Sequence, residues 1–209
     1  MSNLTSYKAI VLDLDNTIYN EIEYLKLAYQ WISTRIISSD NLELQNKIYK
    51  FLVDEFIGNG RKDLYQKLKK LENLDEFSLD LFLDALRTCP IDANSIEIDS
   101  DIYNFIKYLH NNNKLIFILT NGNVEQQMNK IKSLKIPFKD AITIIYASIK
   151  GIEYQKPNPY FLNNIISENS LINDEVLFIG DSSIDQETAK SVGIDFLYIS
   201  DFKSQYKEN

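Results

Sequence analysis

Three short apolar runs, each followed directly by polar or glycine residues, constrain the fold of this 209-residue chain most. The runs are Tyr7–Leu12, Lys114–Leu119 and Glu175–Ile179, and each is typical of a buried strand that emerges into a loop. From about Asp99 onward, helical and strand patterns alternate. The predicted elements are a helix at 100–111, a strand at 114–119, a helix at 124–134, a strand at 141–147, a helix at 158–168, a strand at 175–179, a helix at 185–192 and a strand at 195–199. This alternation predicts an α/β fold with a parallel sheet covered by helices.

The first run ends at two carboxylates, Asp13 and Asp15, which are two residues apart. Because residues i and i+2 of a strand point to the same side, both carboxylates can converge on one point. Converging carboxylates repel each other unless a cation joins them, and a hard divalent cation such as Mg²⁺ prefers oxygen ligands. Taken alone, the same pair could also form a plain strand-end turn. The pair therefore indicates a metal site only if the rest of the chain supplies its other parts.

The other two runs end in groups that suit phosphate and metal. The second run leads into Thr120–Gly122, whose hydroxyl, amide and flexible glycine could cradle phosphate oxygens. The third run leads into Gly180 and the acidic residues Asp181 and Asp185, which are further candidate metal ligands. Between them, Lys156 precedes a proline-stiffened turn and could neutralise a phosphate. In open parallel sheets ligands bind beyond the carboxyl ends of the strands, which is where these residues are expected.

The segment from about Asn20 to Thr88 differs from the rest, because its apolar residues recur at the helical spacings of three and four. One such stripe is Leu25, Ala28, Tyr29, Ile32 and Ile36. Similar stripes recur three more times, and turn or N-cap residues separate them near 38–41, 58–60 and 73–78. The sequence therefore predicts four helices inserted after the first strand.

Composition excludes several classes of partner. A formal net charge of -8 leaves no basic face for a nucleic acid polymer or an anionic membrane. No apolar stretch approaches the roughly 20 residues that span a bilayer, and residues 1–6 lack the features of a signal peptide. The single cysteine, Cys89, allows no internal disulfide, which fits a reducing cytoplasm. We expect a cytoplasmic protein that acts on a small molecule, and the sequence does not predict its oligomeric state.

Taken in order, the four segments around Asp13, Thr120, Lys156 and Asp181 resemble the four motifs of the haloacid dehalogenase superfamily of aspartyl-phosphate hydrolases. The resemblance spans nearly the whole chain. The opening segment Asp13–Tyr19 is also similar to that of a subgroup containing pyrimidine 5′-nucleotidases and other small-metabolite phosphatases. The resemblance implies a Mg²⁺-dependent phosphatase that acts on a small phosphorylated metabolite, such as a nucleoside 5′-monophosphate or a sugar phosphate.

The resemblance also implies a division of the chain into two parts. A Rossmann-like catalytic core would comprise residues 1–19 and 93–209. A four-helix cap would comprise residues 20–92 and would close over the substrate.

Each motif residue takes a role from the resemblance. Asp13 would be the nucleophile that forms an aspartyl-phosphate, and Lys156 would supply positive charge to the phosphoryl group. Asp15 would protonate the leaving alcohol and then take a proton from the attacking water. Mg²⁺ would be held by Asp13, by Asp181 and by Asp15 through its main-chain carbonyl.

Four further residues are expected to support this centre. Thr120 and the backbone around Asn121 would bind the phosphoryl oxygens. Thr17 would buttress the turn after the first strand. Asp185 would hold a metal-bound water or orient the motif lysine.

Arg61 lies at a predicted helix junction of the insertion and could contact an anionic group of the substrate, or it could be a solvated arginine in a flexible turn. Dehalogenase chemistry is disfavoured, because carbon–halogen cleavage has no need for the second acid, Asp15. Two other functions remain open: a phosphosugar mutase, which keeps the same residues, and a non-catalytic binding module.

Overall fold

The computed structural model describes residues 4, 6–37, 40–71, 74 and 77–207. The helix breaks predicted at 38–41 and 73–78 lie partly outside the described residues, and so does the N-terminal segment 1–6. Within the described ranges, none of the helices combines the length and the apolar character needed to cross a membrane.

A five-stranded parallel sheet forms the centre of the structure. Its strands are β1 (Ala9–Leu12), β2 (Leu115–Thr120), β3 (Thr143–Tyr146), β4 (Val176–Gly180) and β5 (Asp195–Tyr198). Their order in space is β3-β2-β1-β4-β5, so β1 is hydrogen-bonded between β2 and β4. The predicted α/β fold is confirmed. Because β1, β2 and β4 are parallel neighbours, the loops that follow them meet at one edge of the sheet.

Four helices follow β1, as the sequence predicts. They are α1 (Glu21–Ile36), α2 (Leu42–Asn59), α3 (Leu64–Leu71) and α4 (Leu79–Thr88). Helix α1 begins after Asn20, whose side chain accepts a hydrogen bond from the N–H of Ile22. Its buried stripe includes Leu25, Ala28 and Ile32, and α1 packs against α2 and α4. The exact limits of a separate cap domain stay a prediction.

The remaining helices cover the sheet. They are α5 (Ser100–Asn111), α6 (Val124–Ser133), α7 (Tyr160–Glu168), α8 (Ser183–Val192) and α9 (Ile199–Lys207). Helix α8 begins two residues earlier than predicted, because the Ser182 hydroxyl accepts a hydrogen bond from the N–H of Asp185 and caps the helix. The strand expected at 141–147 is shorter, because 3₁₀ turns flank β3. The sequence pattern does not predict α9, which follows β5 without an intervening turn.

Alternate residues of β1 face two different hydrophobic clusters. Ile10 and Leu12 pack in the cluster that includes the four-helix insertion, whereas Ala9 and Val11 pack with residues of α7 and α8. All four side chains are fully buried. Burying an Ile or Leu side chain contributes about 1.5–3 kcal/mol. Packing on both faces therefore fixes β1, and with it the loop that begins at Asp13.

Candidate active site

A polar cavity of about 400 Å³ lies where the loops after β1, β2 and β4 meet. Apart from Gly122 and Ile184, its lining residues carry polar side chains. The lining comprises Asp13, Asp15, Asn16, Glu21, Arg61, Thr120, Asn121, Gly122, Asn123, Gln126, Gln127, Gln155, Lys156, Asp181, Ser182, Ile184 and Asp185. Residues of the sheet loops and residues of the four-helix insertion thus share one cavity. The cavity can hold a small, strongly polar molecule.

Asp13, the first residue after β1, is only 7% exposed. Its Oδ1 accepts a hydrogen bond from Lys156 Nζ at 2.5 Å, and its Oδ2 accepts one from the Thr17 hydroxyl at 3.3 Å. Burial raises the pKa of Asp13 to about 7, and the charges of Asp185 and Asp15 act in the same direction against the lowering effect of Lys156. This carboxylate is therefore held in one orientation and is short of positive charge.

Lys156 bridges two buried carboxylates, since its Nζ also donates to Asp185 Oδ1 at 2.6 Å. Burial alone would lower the pKa of Lys156, but the charges of Asp13 and Asp185 raise it above the usual value. The main chain of Lys156 is clamped by Asn121, whose Oδ1 accepts from the Lys156 N–H at 2.8 Å and whose Nδ2 donates to the Lys156 carbonyl at 2.9 Å. Asn121 therefore uses its side chain to position the lysine loop, which leaves its backbone for the predicted phosphate contact.

Three carboxylates form a cluster that could hold a metal ion. Ligand oxygens of Asp13, Asp181 and Asp185 lie within 4.8 Å of one another. Asp185 is buried and is oriented by Ser182, whose hydroxyl donates to Asp185 Oδ2 at 2.6 Å. Desolvation and the charge of Asp185 raise the pKa of Asp181. Three converging carboxylate oxygens fit a hard divalent cation such as Mg²⁺.

Gly180 at the end of β4 makes room for this cluster. A Cβ atom at this position would lie 2.7 Å from the Cβ, Cγ and Oδ2 atoms of Asp185. Any larger residue would push Asp185 away from Lys156. The glycine before the acidic pair is therefore required by close packing at the end of the strand.

Asp15 lies in a different environment from Asp13, although only one residue separates them. Lys130 Nζ donates to both of its carboxylate oxygens, at 2.8 and 2.7 Å. Tyr19 donates to Oδ1 at 2.8 Å, and Gln127 donates to Oδ2 at 3.2 Å. Burial alone would raise the pKa of Asp15, but the charge and hydrogen bond of Lys130 and the bonds from Tyr19 and Gln127 lower it. Asp15 is thus held as a carboxylate.

Lys130 also connects Asp15 to the four-helix insertion. Its Nζ donates to Oε1 of Glu21, the first residue of α1, at 2.6 Å. Arg61 lies between α2 and α3 and forms an ion pair with the same carboxylate of Glu21. The Arg61 side chain is 60% exposed and lines the cavity. It therefore reaches the predicted position facing the site, and its partner in this structure is Glu21.

The loop after β2 completes the cavity wall. Thr120 is buried, and Gly122 has a φ of 106°, which favours glycine. A Cβ at Gly122 would lie 2.9 Å from Nε2 of Gln127, which donates to the Asn121 carbonyl at 2.7 Å. The glycine and the glutamine amide together fix the course of this loop beside Asp15.

The structure brings Asp13, Lys156, Asp181 and Asp185 into contact range, with Thr17 behind Asp13, and their predicted roles stay predictions. The Asp15 carboxylate points to Lys130, which leaves its main-chain carbonyl as the predicted metal contact.

Lys130, Glu21 and Gln127 were missed by sequence reasoning. One signal was present, because Gln127 and Lys130 fall on the buried face of α6 with Ile131 and Leu134. Polar residues inside an apolar helical stripe indicate buried partners.

The comparison with protein families agrees with this geometry. The profile of the haloacid dehalogenase-like hydrolases matches residues 10–199, a span that contains all the motif residues above. The chain belongs to the haloacid dehalogenase-like hydrolase family.

Solved structures with a similar fold span most of the chain. A HAD-superfamily hydrolase from Ehrlichia chaffeensis is 16% identical, with a TM-score of 0.55 and coverage of 97% of each chain. A hydrolase from Streptococcus pneumoniae TIGR4 is 15% identical, with a TM-score of 0.55 over 97% of this chain and 99% of that one. A predicted phosphoglycolate phosphatase from Haemophilus somnus is 16% identical, with a TM-score of 0.55 over 91% of this chain and 84% of that one. At these identities the likeness shows a shared fold. No curated protein matches the chain in sequence.

Within this haloacid dehalogenase-like hydrolase, the charged residues of the cavity fall into two groups, one around Asp13 and one around Asp15. Asp13, Asp181 and Asp185 lie close together, and the Lys156 ammonium pairs with Asp13 and Asp185. With all three carboxylates ionised, this first group carries an excess of two negative charges, which one divalent cation would balance. The donor set and the charge balance thus fit the Mg²⁺ that the family resemblance implies.

Proposed function

We propose that this hydrolase is a Mg²⁺-dependent phosphatase that hydrolyses the phosphomonoester of a small metabolite through an aspartyl-phosphate on Asp13. One observation carries the proposal. The Asp13 carboxylate opens into the polar cavity while Lys156 and the cluster with Asp181 and Asp185 lie directly beside it. This is the set of groups that nucleophilic attack on a phosphoryl group needs.

Attack by a carboxylate on a phosphate brings like charges together. At 4 Å and an effective dielectric constant of 20, each pair of unit charges costs about 4 kcal/mol. Lys156 supplies a fixed positive charge within hydrogen-bond distance of Asp13, and the hydroxyl of Thr120 and the N–H groups after it would donate to the transferring oxygens. Mg²⁺ held by Asp13, Asp181 and the Asp15 carbonyl would supply the remaining positive charge when bound.

Asp15 is placed to serve the leaving group and the attacking water. Its carboxylate lines the cavity beside Asp13, and its side chain is 21% exposed there. In the proposed reaction Asp15 first takes up the proton of the substrate's phosphate monoanion, whose pKa is about 6, and then delivers this proton to the departing alkoxide oxygen. It then takes a proton from the water that attacks the aspartyl-phosphate, which restores Asp13 and releases inorganic phosphate.

The remainder of the cavity suits a substrate rich in hydroxyl groups. The amide side chains of Asn123, Gln126 and Gln155 line it, and Arg61 stands at the side formed by the insertion. Such a wall favours a nucleoside 5′-monophosphate or a sugar phosphate. A phosphorylated acid belongs in the same test, because a structural neighbour is a predicted phosphoglycolate phosphatase. We further propose that residues 20–92 form the cap and residues 1–19 and 93–209 the core.

The experiment is to measure inorganic phosphate released from a panel of nucleotides, sugar phosphates and phospho-acids, with Mg²⁺ or with EDTA. Wild type is compared with Asp13→Asn, and Asp174→Asn serves as the control because Asp174 is exposed and precedes β4. We expect release that needs Mg²⁺, is lost in Asp13→Asn and is unchanged in Asp174→Asn.

Two outcomes would contradict the proposal. Conversion of a substrate into a phosphate isomer without free phosphate would identify a phosphosugar mutase. Binding of a phosphorylated ligand without any turnover across the panel would identify a non-catalytic module.

A further inference from the structure

We propose that Lys130 is a positioning residue that orients Asp15 for proton transfer and, through Glu21, makes this orientation depend on the start of the four-helix insertion. The inference rests on the proposed function, because it concerns the group that protonates the leaving oxygen. It adds a second buried lysine, from α6, to the residues that the motifs single out.

Lys130 is fully buried, and both carboxylates that pair with its ammonium line the cavity. Its Nζ makes two hydrogen bonds to Asp15 and one to Glu21, and it lies 5.5 Å from the ring centroid of Tyr24. Burial of an ammonium is costly unless it is paired and hydrogen-bonded. Replacing buried ion groups by apolar side chains is often neutral or stabilising, so stability alone gives little reason for a lysine here.

The geometry at Asp15 shows what the ammonium does. Lys130 contacts both carboxylate oxygens, Tyr19 adds a donor at Oδ1 and Gln127 adds a donor at Oδ2. Four hydrogen bonds from three directions leave one orientation for the carboxylate plane. A misplacement of about 1 Å in a reacting group can cost about 100-fold in rate, so this orientation matters for proton transfer.

Glu21 extends the same network to the insertion. It is the first residue of α1, and Asn16 Oδ1 accepts a hydrogen bond from its N–H at 3.1 Å. Its carboxylate is shared between Lys130 and Arg61. A continuous series of ion pairs thus runs from Asp15 to the cavity wall formed by the junction of α2 and α3. Any shift of α1 would move the second partner of Lys130.

The test uses leaving groups that differ in their need for a proton. An alkoxide needs protonation by Asp15, whereas p-nitrophenolate departs without it. The value of kcat/KM covers the steps through departure of the leaving group, so hydrolysis of the intermediate does not enter. In Lys130→Met we expect kcat/KM to fall about 100-fold for the best alkyl phosphate of the panel and less than about threefold for p-nitrophenyl phosphate. A role in stability alone would lower both values equally.

Two further variants keep the test decisive if Lys130→Met does not fold. Glu21→Gln retains the ammonium and its bonds to Asp15, and we expect it to lower the alkyl value severalfold more than the aryl value. Lys130→Arg keeps the positive charge. It should therefore restore most of the kcat/KM for the alkyl phosphate that Lys130→Met loses. Lys139→Met is the matched control, since Lys139 caps the carbonyls of Ile131 and Leu134 at the end of α6.

The outcomes separate this inference from the proposed function. Equal losses for both esters in Lys130→Met, or no selective loss in Glu21→Gln, would overturn the positioning role while Mg²⁺-dependent release by wild type still stood. No release by wild type from any ester would overturn both.

Discussion

Asp13 and Asp15 lie two positions apart, and each is paired with a buried lysine, yet their environments are opposite. Burial and neighbouring carboxylates raise the pKa of Asp13 to about 7, whereas the pKa of Asp15 is lowered because Lys130 and two neutral donors outweigh burial. The Asp13 cluster has three carboxylates and one ammonium. The Asp15 cluster has two carboxylates, Asp15 and Glu21, and two cations, Lys130 and Arg61.

The difference in charge balance separates two tasks within one cavity. A cluster short of two positive charges is suited to bind a divalent cation. A balanced cluster needs no further ion and can fix one carboxylate in place. Both begin in the same loop after β1, so the sequence spacing of the two aspartates alone does not tell them apart.

The largest effect expected from this difference concerns Lys156. Lys156→Met removes the ammonium shared by Asp13 and Asp185, so we expect kcat to fall about 10³-fold. Alkyl and aryl phosphates should lose equally, in contrast to the selective loss expected at Lys130. The free energy of unfolding should also fall by about 3–5 kcal/mol, because two buried carboxylates lose their partner.

Steady-state kinetics on both esters and urea unfolding would check these expectations. Lys150→Met is the control, because Lys150 is exposed and lies over the Tyr160 ring outside the cavity. A Lys156→Met enzyme that keeps a tenth of the wild-type kcat would contradict the role assigned to Lys156 in the Asp13 cluster.

The next largest effect concerns metal binding, which should depend on the carboxylates of the Asp13 cluster and not on the Asp15 side chain. If Mg²⁺ is held by carboxylates of the Asp13 cluster, it should stabilise wild type by about 2.7 kcal/mol at 100 times its Kd. Asp181→Asn should lose most of this stabilisation. Asp15→Asn should retain it, because only the main-chain carbonyl of Asp15 is expected to contact the ion.

Thermal unfolding with Mg²⁺ and with EDTA measures this difference without any substrate. Comparable loss of the Mg²⁺ effect in both variants would mean that the Asp15 side chain is also needed for the ion. The division into a metal-binding cluster and a balanced cluster would then be wrong.

Packing at the end of β4 offers a smaller effect. Gly180→Ala would place a methyl group 2.7 Å from Asp185, and overpacking of this kind costs about 1–3 kcal/mol. Activity should fall as well, because Asp185 orients Lys156. Gly58→Ala is the matched control: nothing lies within 4 Å of a Cβ there, and alanine in a helix is favoured by about 0.5–1 kcal/mol. Urea unfolding measures the free energy of unfolding of both variants. Equal values would show that Asp185 moves aside without cost and that close packing does not require Gly180.

The Asp13 cluster can be predicted from the sequence because local patterns encode it. Apolar strands end at the aspartates and at Thr120, and parallel neighbours must bring those ends together. The four helices of the insertion follow from their apolar stripes in the same way. These features depend on short segments and on one rule of sheet geometry.

The Asp15 cluster depends on contacts between distant segments. Lys130 meets Asp15 across 115 positions and Glu21 across 109, and no spacing in the sequence relates α6 to α1. Helix α9 was missed for a local reason, because Ile199 continues the apolar pattern of β5 and no turn residue separates the two. Its buried Phe202 lies three residues after Ile199, which is a helical spacing. A single pair at this spacing does not suffice to predict a helix.

The smallest expected effect on the free energy of unfolding comes from a partly exposed ion pair outside the two buried clusters, Asp99 with Lys203. Asp99 caps α5 by accepting hydrogen bonds from the N–H groups of Asp101 and Ile102, and Lys203 of α9 pairs with it at 2.8 Å. Burial would raise the pKa of Asp99, but the hydrogen bond and charge of Lys203 and the helix N–H groups lower it. Because the folded state has the lower pKa, the pair stabilises the protein above about pH 4, and this contribution is lost as pH falls further.

Asp99→Asn keeps the cap and removes the charge. We expect it to lower the free energy of unfolding by less than about 1 kcal/mol at pH 7 and to leave a weaker dependence on acid. Lys203→Met should have a similar effect at pH 7, whereas Asp99→Ala should cost about 1 kcal/mol more because the cap is also lost. Urea unfolding at several pH values from neutral to acid measures all three. If Asp99→Asn is as sensitive to acid as wild type, charge does not hold α9 to α5. The stability contributed by this pair could then not be compared with that of the buried clusters.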